Sequence, residues 1–194
     1  PIIVSFSGGK DSLVTLHLAL KTGLDFKIFF NDTGLELPDT IENVERTVDK
    51  YGFELICGSA KDVFWRVVEK LGPPARDYRW CCKTCKLTPT YKTIKDEIGE
   101  CLTLVGQRRL ESLDRLTSPN IWKNPWLPGT ISASPVNDWS SLLVWGYILT
   151  YNLRSEVNRL YFKGFSRIGC FMCPAGKLGD LKLVEENYRE LWSK

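Results

Sequence analysis

The chain has 194 residues, 26 basic and 23 acidic side chains for a formal charge of +3, seven cysteines and one histidine. A charged fraction of 25% and an aromatic fraction of 12% exclude a disordered chain and allow one core that needs no disulfide stapling. Apolar runs break well short of the ~20 residues a membrane span requires, and no basic leader precedes the first strand, so a cytoplasmic protein with no membrane partner is expected. Seven cysteines in a reducing compartment favour metal or redox chemistry over disulfides, and with only His17 available a bound metal is held mainly by thiolates. The charge is uneven: residues 1–75 carry 8 basic and 11 acidic side chains, residues 76–194 carry 18 and 12, a balance of −3 against +6. An anionic ligand fits the second half.

In chain order, Ile2–Phe6 reads as an apolar strand that runs into Ser7-Gly8-Gly9-Lys10-Asp11-Ser12. A helix from about Asp11 to Lys21 is apolar nearly all round, as expected against a sheet, and Gly23 closes it. Phe26–Phe30 is the second strand. Asp39, with Glu42 three residues later, has the pattern of a capping box for a helix ending at Gly52. Phe53–Cys57 is the third strand, and Val63, Val67, Val68 and Leu71 mark a helix that Gly72-Pro73-Pro74 breaks. A basic, cysteine-rich loop follows, then a helix over Pro89–Ile98 and a strand over Cys101–Val105. Alternating strands and helices predict a single doubly wound α/β domain, with a mostly parallel sheet and helices on both faces. Asn120–Pro135, rich in proline and tryptophan, reads as loop with short strand pieces; Trp139–Tyr151 and Lys177–Trp192 read as helices. No repeat or linker divides the chain, so residues 1–194 form one domain.

A strand, a glycine-rich turn and a helix N-terminus make an anion site, because backbone N–H groups converge there and the helix dipole adds partial positive charge. Lys10 would add a point charge, and Ser7 and Ser12 hydroxyl donors. The turn is not a Walker loop, since Val4 stands where the first glycine would be, and it has no G-x-G-x-x-G spacing.

Cys81, Cys82 and Cys85 form one thiol cluster and Cys170 and Cys173 another. Four thiolates from two such clusters suit zinc or a [4Fe–4S] cluster, and spacing alone does not separate the two. A C-x-x-C rule chooses Cys82 and Cys85; the alternative register uses Cys81 and Cys82. Cys57 and Cys101 stand in apolar strands, where a buried free thiol is expected. His17 has no assigned role. Arg76, Arg79, Lys83, Lys86, Lys92 and Lys95 accompany Asp77 as the one acid up to Lys95, and Arg108, Arg109 and Arg115 follow. Guanidinium forks suit phosphate and sulfate oxygens. Lys92 and Lys95 are expected to be solvated only. Trp80, Trp122 and Trp126 beside this charge would also suit nucleic acid, against which the net charge of +3 weighs.

Ser7-Gly8-Gly9-Lys10-Asp11-Ser12 resembles the PP-loop signature of the adenine-nucleotide α-hydrolase-like superfamily, and the whole chain resembles the phosphoadenosine phosphosulfate (PAPS) and adenylylsulfate reductase family within it. Asp32-Thr33-Gly34-Leu35-Glu36-Leu37-Pro38-Asp39-Thr40 is similar to its D-T-G-x-x-x-P-E-T stretch, and Cys81-Cys82 with Lys86 and Pro89 to its C-C-x-x-x-K-x-x-P. Gly106 to Ser112 with Arg115 resembles G-x-R-x-x-E-S-x-x-R, and Pro135 to Trp139 with Val144-Trp145 and Tyr147-Ile148 resembles P-x-x-D-W…V-W-x-Y-I. Leu160-Tyr161, Gly164-Phe165, Gly169-Cys170 and Cys173 are similar to L-Y…G-Y…G-C-x-x-C. These blocks stand in family order from residue 7 to 173.

The resemblance implies a fold and a chemistry. An adenylyl nucleotide (adenylylsulfate, PAPS or ATP) would be bound by Ser5, Ser7, Gly8, Gly9, Lys10, Asp11, Ser12, Asp32, Thr33, Gly34, Lys86, Arg108, Arg109 and Arg115. A [4Fe–4S] cluster would be held by Cys81, Cys82, Cys170 and Cys173, with Cys85 as a replacement ligand and zinc as the alternative metal. The implied reaction is reduction of the bound sulfate to sulfite by an enzyme thiolate, with a thiol reductant such as thioredoxin, in a homo-oligomer if the family pattern holds. In the family the nucleophile is a cysteine in a tail beyond the C-x-x-C; here no cysteine follows Cys173, so the catalytic residue is unassigned and the chain reads as part of a longer protein. Two alternatives compete with reduction. One is an ATP pyrophosphatase-type sulfurtransferase acting on tRNA or DNA, with Mg²⁺ on Asp11 or Asp32; the other is a non-catalytic nucleotide module with structural zinc.

Overall fold

The computed structural model describes residues 1–193. Strands β1 (Ile2–Ser5), β2 (Lys27–Asp32), β3 (Leu55–Ser59), β4 (Cys101–Val105), β5 (Ile121–Lys123) and β6 (Thr130–Ala133) form one sheet in the order β3-β2-β1-β4-β6-β5. All neighbours are parallel except β5 and β6. The α/β class and doubly wound sheet follow the sequence pattern closely. Most strand and helix limits move by one or two residues, and β4 falls on the expected residues.

Helices α1 (Lys10–Thr22), α2 (Pro38–Tyr51) and α5 (Ser141–Thr150) cover one face. Val4, Phe6, Ile28 and Phe30 from the sheet meet Leu13, Val14, Leu16, Val44, Val48, Val144 and Ile148 there. His17 joins α1 to α5 through a 2.9 Å hydrogen bond between its Nδ1 and the Tyr147 hydroxyl. On the other face, Ile94 and Ile98 pack on Ile3, Phe29, Ile56 and Cys101. A third cluster joins α3 (Val63–Leu71) and α6 (Leu178–Asn187) through Phe64, Trp80, Cys85, Leu160, Phe165, Phe171 and Val184.

Three local expectations are corrected. The cysteine segment is helical rather than a loop: a π-helical turn over Cys82–Leu87 leads directly into α4 (Thr88–Thr93), and a second one, Ile94–Ile98, follows. The Asp39–Glu42 capping box does not form. Leu37 is the N-cap of α2, and Pro38 takes the first turn, where its missing N–H costs nothing. Asp39 instead accepts from Lys163 Nζ at 2.7 Å and from the Tyr188 hydroxyl at 2.5 Å, bonding α2 to the break between α6 and α7 (Arg189–Trp192). Cys57 is exposed, because β3 is an edge strand and its alternation turns that side chain outward; Cys101, on interior strand β4, is buried as expected.

The topology places the site. From β1 the chain winds one way to β2 and β3, then returns to the other side of β1 at β4. The crevice at such a switch point, outside the carboxyl ends of the strands, is where doubly wound sheets bind ligands. The loops after β1 and β4 meet there, and Gly106 permits the approach. A Cβ at residue 106 would lie 2.5 Å from the Ser12 amide nitrogen and 2.6 Å from the Asp11 carbonyl carbon.

Two consequences can be measured. Gly106→Ala should lower unfolding free energy by about 1–3 kcal/mol or more in denaturant titrations, because backbone rather than a movable side chain occupies the space; an unchanged midpoint would contradict the packing. Burial pushes the Asp39 carboxyl up, but the bonds from Lys163 and Tyr188 outweigh it and hold the group below its ordinary value. The stability it contributes is therefore present above an unfolded pKa of about 3.9 and is lost as pH falls through the folded one. Asp39→Asn should be less stable than wild type at neutral pH, with the gap closing only in acid; a pH-independent gap would rule out the ionised carboxylate as its cause.

Candidate functional site

The loop after β1 is built from its own hydroxyls. The Ser12 hydroxyl donates to the Gly9 carbonyl at 2.9 Å, accepts from the Ser7 amide at 3.2 Å, and lies 3.2 Å from the Ser7 hydroxyl. Ser12 is therefore scaffold rather than a free donor. Gly8 has a φ of +71°, a left-handed conformation that favours glycine, and packs on Thr40 and Val44 of α2. Gly9 is the N-cap of α1 and has no side chain to satisfy the first turn. Among the described residues, the amides of Gly8 and Gly9 donate to no protein group. The Lys10 amide donates to the Tyr161 hydroxyl at 3.1 Å. Orphan amides at the start of a 13-residue helix are what an anion needs.

The charged side chains around this loop form one chain. Lys10 Nζ is 2.6 Å from one Asp11 carboxylate oxygen, and Arg108 Nε is 2.5 Å from the other. Arg108 also reaches Glu111 at 3.9 Å, and Glu111 pairs with Arg115 at the surface. Lys10, Asp11 and Arg108 are all buried. Three cations face two carboxylates, which leaves one positive charge for a ligand. Asp11 is thereby committed to Lys10 and Arg108, so the metal-partner role expected of it is met by ion pairs instead. Arg109 braces the neighbouring loop: it donates to the Ser118 carbonyl at 2.8 Å and to Asn120 at 3.2 Å and pairs with Asp138. Ser5 ends β1 in register with Phe29 and Val105.

The loop after β2 faces the cysteines. Asp32 accepts from the Gly34 amide at 2.9 Å, and its second oxygen is 3.7 Å from Lys61. Gly34 has a Cβ position only 3.0 Å from the Lys61 Cα. The Thr33 amide and hydroxyl both donate to Glu36, at 2.9 and 2.7 Å, and the Thr33 oxygen lies 3.5 Å from Cys170 Sγ. The Phe171 amide donates to the Leu35 carbonyl at 2.8 Å, so the two loops are bonded side by side. Desolvation raises the Glu36 carboxyl, against the lowering effect of Thr33.

Burial pushes the Cys170 thiol up to about 11, offset by its Thr33 contact and by the charge of Lys86. It pushes Cys81 up to about 12, with Cys82 and then Cys170 adding to the effect. Cys81, Cys82, Cys170, Cys173 and Lys86 therefore share one neighbourhood. Cys85 is the buried thiol of this group, in the apolar cluster with Trp80 and Phe64 against which Cys81 and Cys170 also pack, 3.4 Å from the Thr84 hydroxyl. Among the described residues, no three His, Cys, Asp or Glu side chains are arranged as a closed metal site. The donor chemistry still fits a thiolate-bound group: four free cysteines on two facing segments, two of them carrying a desolvation cost that metal ligation would remove.

Three residues at the site went unassigned in the sequence. Asn31 clamps the cysteine segment, donating to the Cys85 carbonyl at 3.1 Å and accepting from Thr90 at 3.0 Å. Tyr161 and Glu36 are the others. Glu36 had a visible signal, the T-x-x-E spacing from Thr33, and Tyr161 stands in the L-Y block of the family pattern, though nothing there shows its partner 151 residues away; Asn31 acts across 54 residues and had none.

Comparison with known proteins bears on the fold and the family. The phosphoadenosine phosphosulfate reductase domain family matches residues 1–176. The uncharacterized Methanocaldococcus jannaschii protein MJ0066 is 45% identical over 196 residues, covering 100% of this chain and 40% of that protein. The chain thus spans less than half the length of that relative. An adenosine 5′-phosphosulfate reductase of Burkholderia cepacia is 28% identical over 84% of this chain and 65% of its own length. In structure, PAPS reductase from Candida auris matches with a TM-score of 0.67 at 24% identity, over 89% of this chain and 82% of that one. The U34-tRNA thiolase NcsA from Methanococcus maripaludis, with its [4Fe–4S] cluster, matches at 0.61 and 14% identity over 99% of this chain and 68% of that one. Fold, PP-loop and family profile together establish that this chain belongs to the phosphoadenosine phosphosulfate reductase domain family.

Proposed function

We propose that the chain is the nucleotide-binding domain of an adenylylsulfate- or PAPS-reducing enzyme, and that it carries a [4Fe–4S] cluster on Cys81, Cys82, Cys170 and Cys173. The observation that carries this reading is the 3.5 Å contact between Thr33 and Cys170, which ties the nucleotide loop to the thiol cluster. The free Gly8 and Gly9 amides and the residual positive charge of the Lys10–Asp11–Arg108–Glu111–Arg115 chain hold the phosphate or sulfate end. Asp32 and Gly34 border the adenosine, and Lys86 places its charge toward the sulfate. When bound, the cluster would supply thiolate-ligated iron chemistry whose potential depends on burial and on hydrogen bonds to sulfur. Reduction proceeds by attack of a thiolate, unassigned in this chain, on the sulfate sulfur, breaking its bond to the phosphate oxygen so that AMP or its 3′-phosphate leaves; a dithiol reductant such as thioredoxin then frees sulfite from the S-sulfonate and is itself oxidised to the disulfide.

A second reading takes ATP–Mg²⁺ at the same loop for sulfur transfer to tRNA. The likeness to the tRNA thiolase along nearly the whole chain favours it, with Asp32 as the carboxylate left to meet the metal.

Calorimetric titration with adenylylsulfate, PAPS and ATP–Mg²⁺ separates the readings, since a preference for ATP overturns reduction. The informative variant is Gly9→Asp. Residue 9 has an ordinary φ of −88° and room for a side chain, and aspartate is a favoured N-cap, so the fold should be kept or stabilised while the carboxylate repels the ligand. We expect affinity to fall by about tenfold or more; retained binding would move the ligand elsewhere. Arg108→Ala is less useful, because it would remove one of the two cations paired with the buried Asp11 and so mix a loss of stability with a loss of binding.

The cluster has its own test. Anaerobically purified protein should show broad visible absorption that Cys170→Ser abolishes and Cys85→Ser retains. A colourless protein with stoichiometric zinc would replace the iron–sulfur assignment with the structural-metal one.

A further inference from the structure

A second basic site lies away from the PP-loop. Beyond α5 the chain turns at Asn152, the one non-glycine residue among those described with a positive φ, 51°, which asparagine tolerates better than most. It then makes two single-turn 3₁₀ helices, Leu153–Ser155 and Arg159–Tyr161. Between them and α2 is an open cavity of about 560 Å³ lined by Arg46, Asn152, Arg154, Ser155, Val157, Arg159 and Phe162. That volume is within the 300–1,000 Å³ range typical of small-ligand sites.

Its charge is unbalanced. Arg159 is 3.5 Å from Glu42, but among the described residues Arg46 and Arg154 have no carboxylate within 4 Å. With Arg159 shared with Glu42, two guanidinium charges at the cavity remain without a carboxylate, and their paired N–H donors match phosphate oxygens. Phe162 is 58% exposed, and the Arg154 guanidinium lies 5.6 Å from its ring centroid. The guanidinium stands over one face of this exposed ring, which leaves the other as a platform on which a base stacks. The wall is firmly held: Asn43 donates to the Glu156 carbonyl at 2.9 Å, Lys50 pairs with Glu156, and Asn158 donates to Thr40 at 3.3 Å. The Arg159–Tyr161 turn also supplies Tyr161 to the PP-loop, so one element borders both sites.

We propose that this cavity binds a nucleotide unit, with its phosphate on Arg46 and Arg154 and its base on Phe162. The same chemistry is presented by a free nucleotide and by one residue of a single-stranded RNA.

The test uses Gly9→Asp protein as parent, to silence the PP-loop, with AMP and fluorescein-labelled hexaadenylate as probes. Arg46→Ala/Arg154→Ala should weaken hexaadenylate binding by about tenfold or more, and Phe162→Ala by several fold. Among the described residues neither arginine has a carboxylate partner, so thermal melts should stay close to the parent's; Arg46→Lys/Arg154→Lys keeps the charge, and should still weaken binding because lysine has no fork. Parallel loss of AMP binding assigns the site to free nucleotides, while hexaadenylate binding without AMP assigns it to a polynucleotide; either upholds the proposal. It is overturned if neither probe binds or if the arginine variants bind like the parent. Indifference to Phe162→Ala, with inorganic phosphate competing as well as AMP, also overturns it by leaving a bare anion site.

Discussion

The arrangement depends on the approach of the β4 carboxyl end to the N-terminus of α1. β1 and β4 are adjacent although the chain leaves β1 for two strands and four α-helices before returning. Gly106 makes the approach sterically possible, and the buried Asp11–Arg108 pair makes it electrostatically specific. A buried ion pair is weak evidence of stability, since desolvation offsets much of the attraction. Its effect here is positional. It fixes a guanidinium beside a helix start whose free amides invite an anion, and passes charge outward through Glu111 to Arg115.

A second constraint sits at the end of β2. Thr33 and Glu36 organise the loop, Leu35 pairs with the backbone of Phe171, and Asn31 clamps the cysteine helix. Thiols distant in sequence are thus drawn to the edge where the nucleotide loop lies. The π-helical turn over Cys82–Leu87 allows this: Cys85 and Trp80 enter the apolar cluster, while Cys82 remains exposed and Cys81 half-buried. Wide turns of this kind often occur at functional sites, because they re-aim side chains without ending the helix.

Much of the fold was legible in the residues. Period-2 and helical patterning located the strands and long helices within a few residues, because burial against a sheet imposes that spacing. Glycine positions that require a left-handed backbone marked the helix ends at Gly23 and Gly52. Local chemistry misled where tertiary partners outcompeted it. Asp39 has the makings of a cap, but Lys163 and Tyr188 offer its carboxylate stronger bonds. Cys57 has an apolar neighbourhood in sequence, but its strand is at the sheet edge.

The sequence by itself determined the fold class, the glycine-rich loop that starts α1 and the two groups of cysteines, because each rests on contiguous residues whose backbone preferences act locally. Which donors remain free was decided only by the tertiary structure. Ser12, Asp11 and Arg109 are taken up by partners in the fold, Tyr161 arrives from 151 residues away, and Arg46 meets Arg154 and Arg159 across a cavity. Hydrogen bonds and charges saturate, so what a side chain can offer a ligand depends on what the rest of the chain has already claimed.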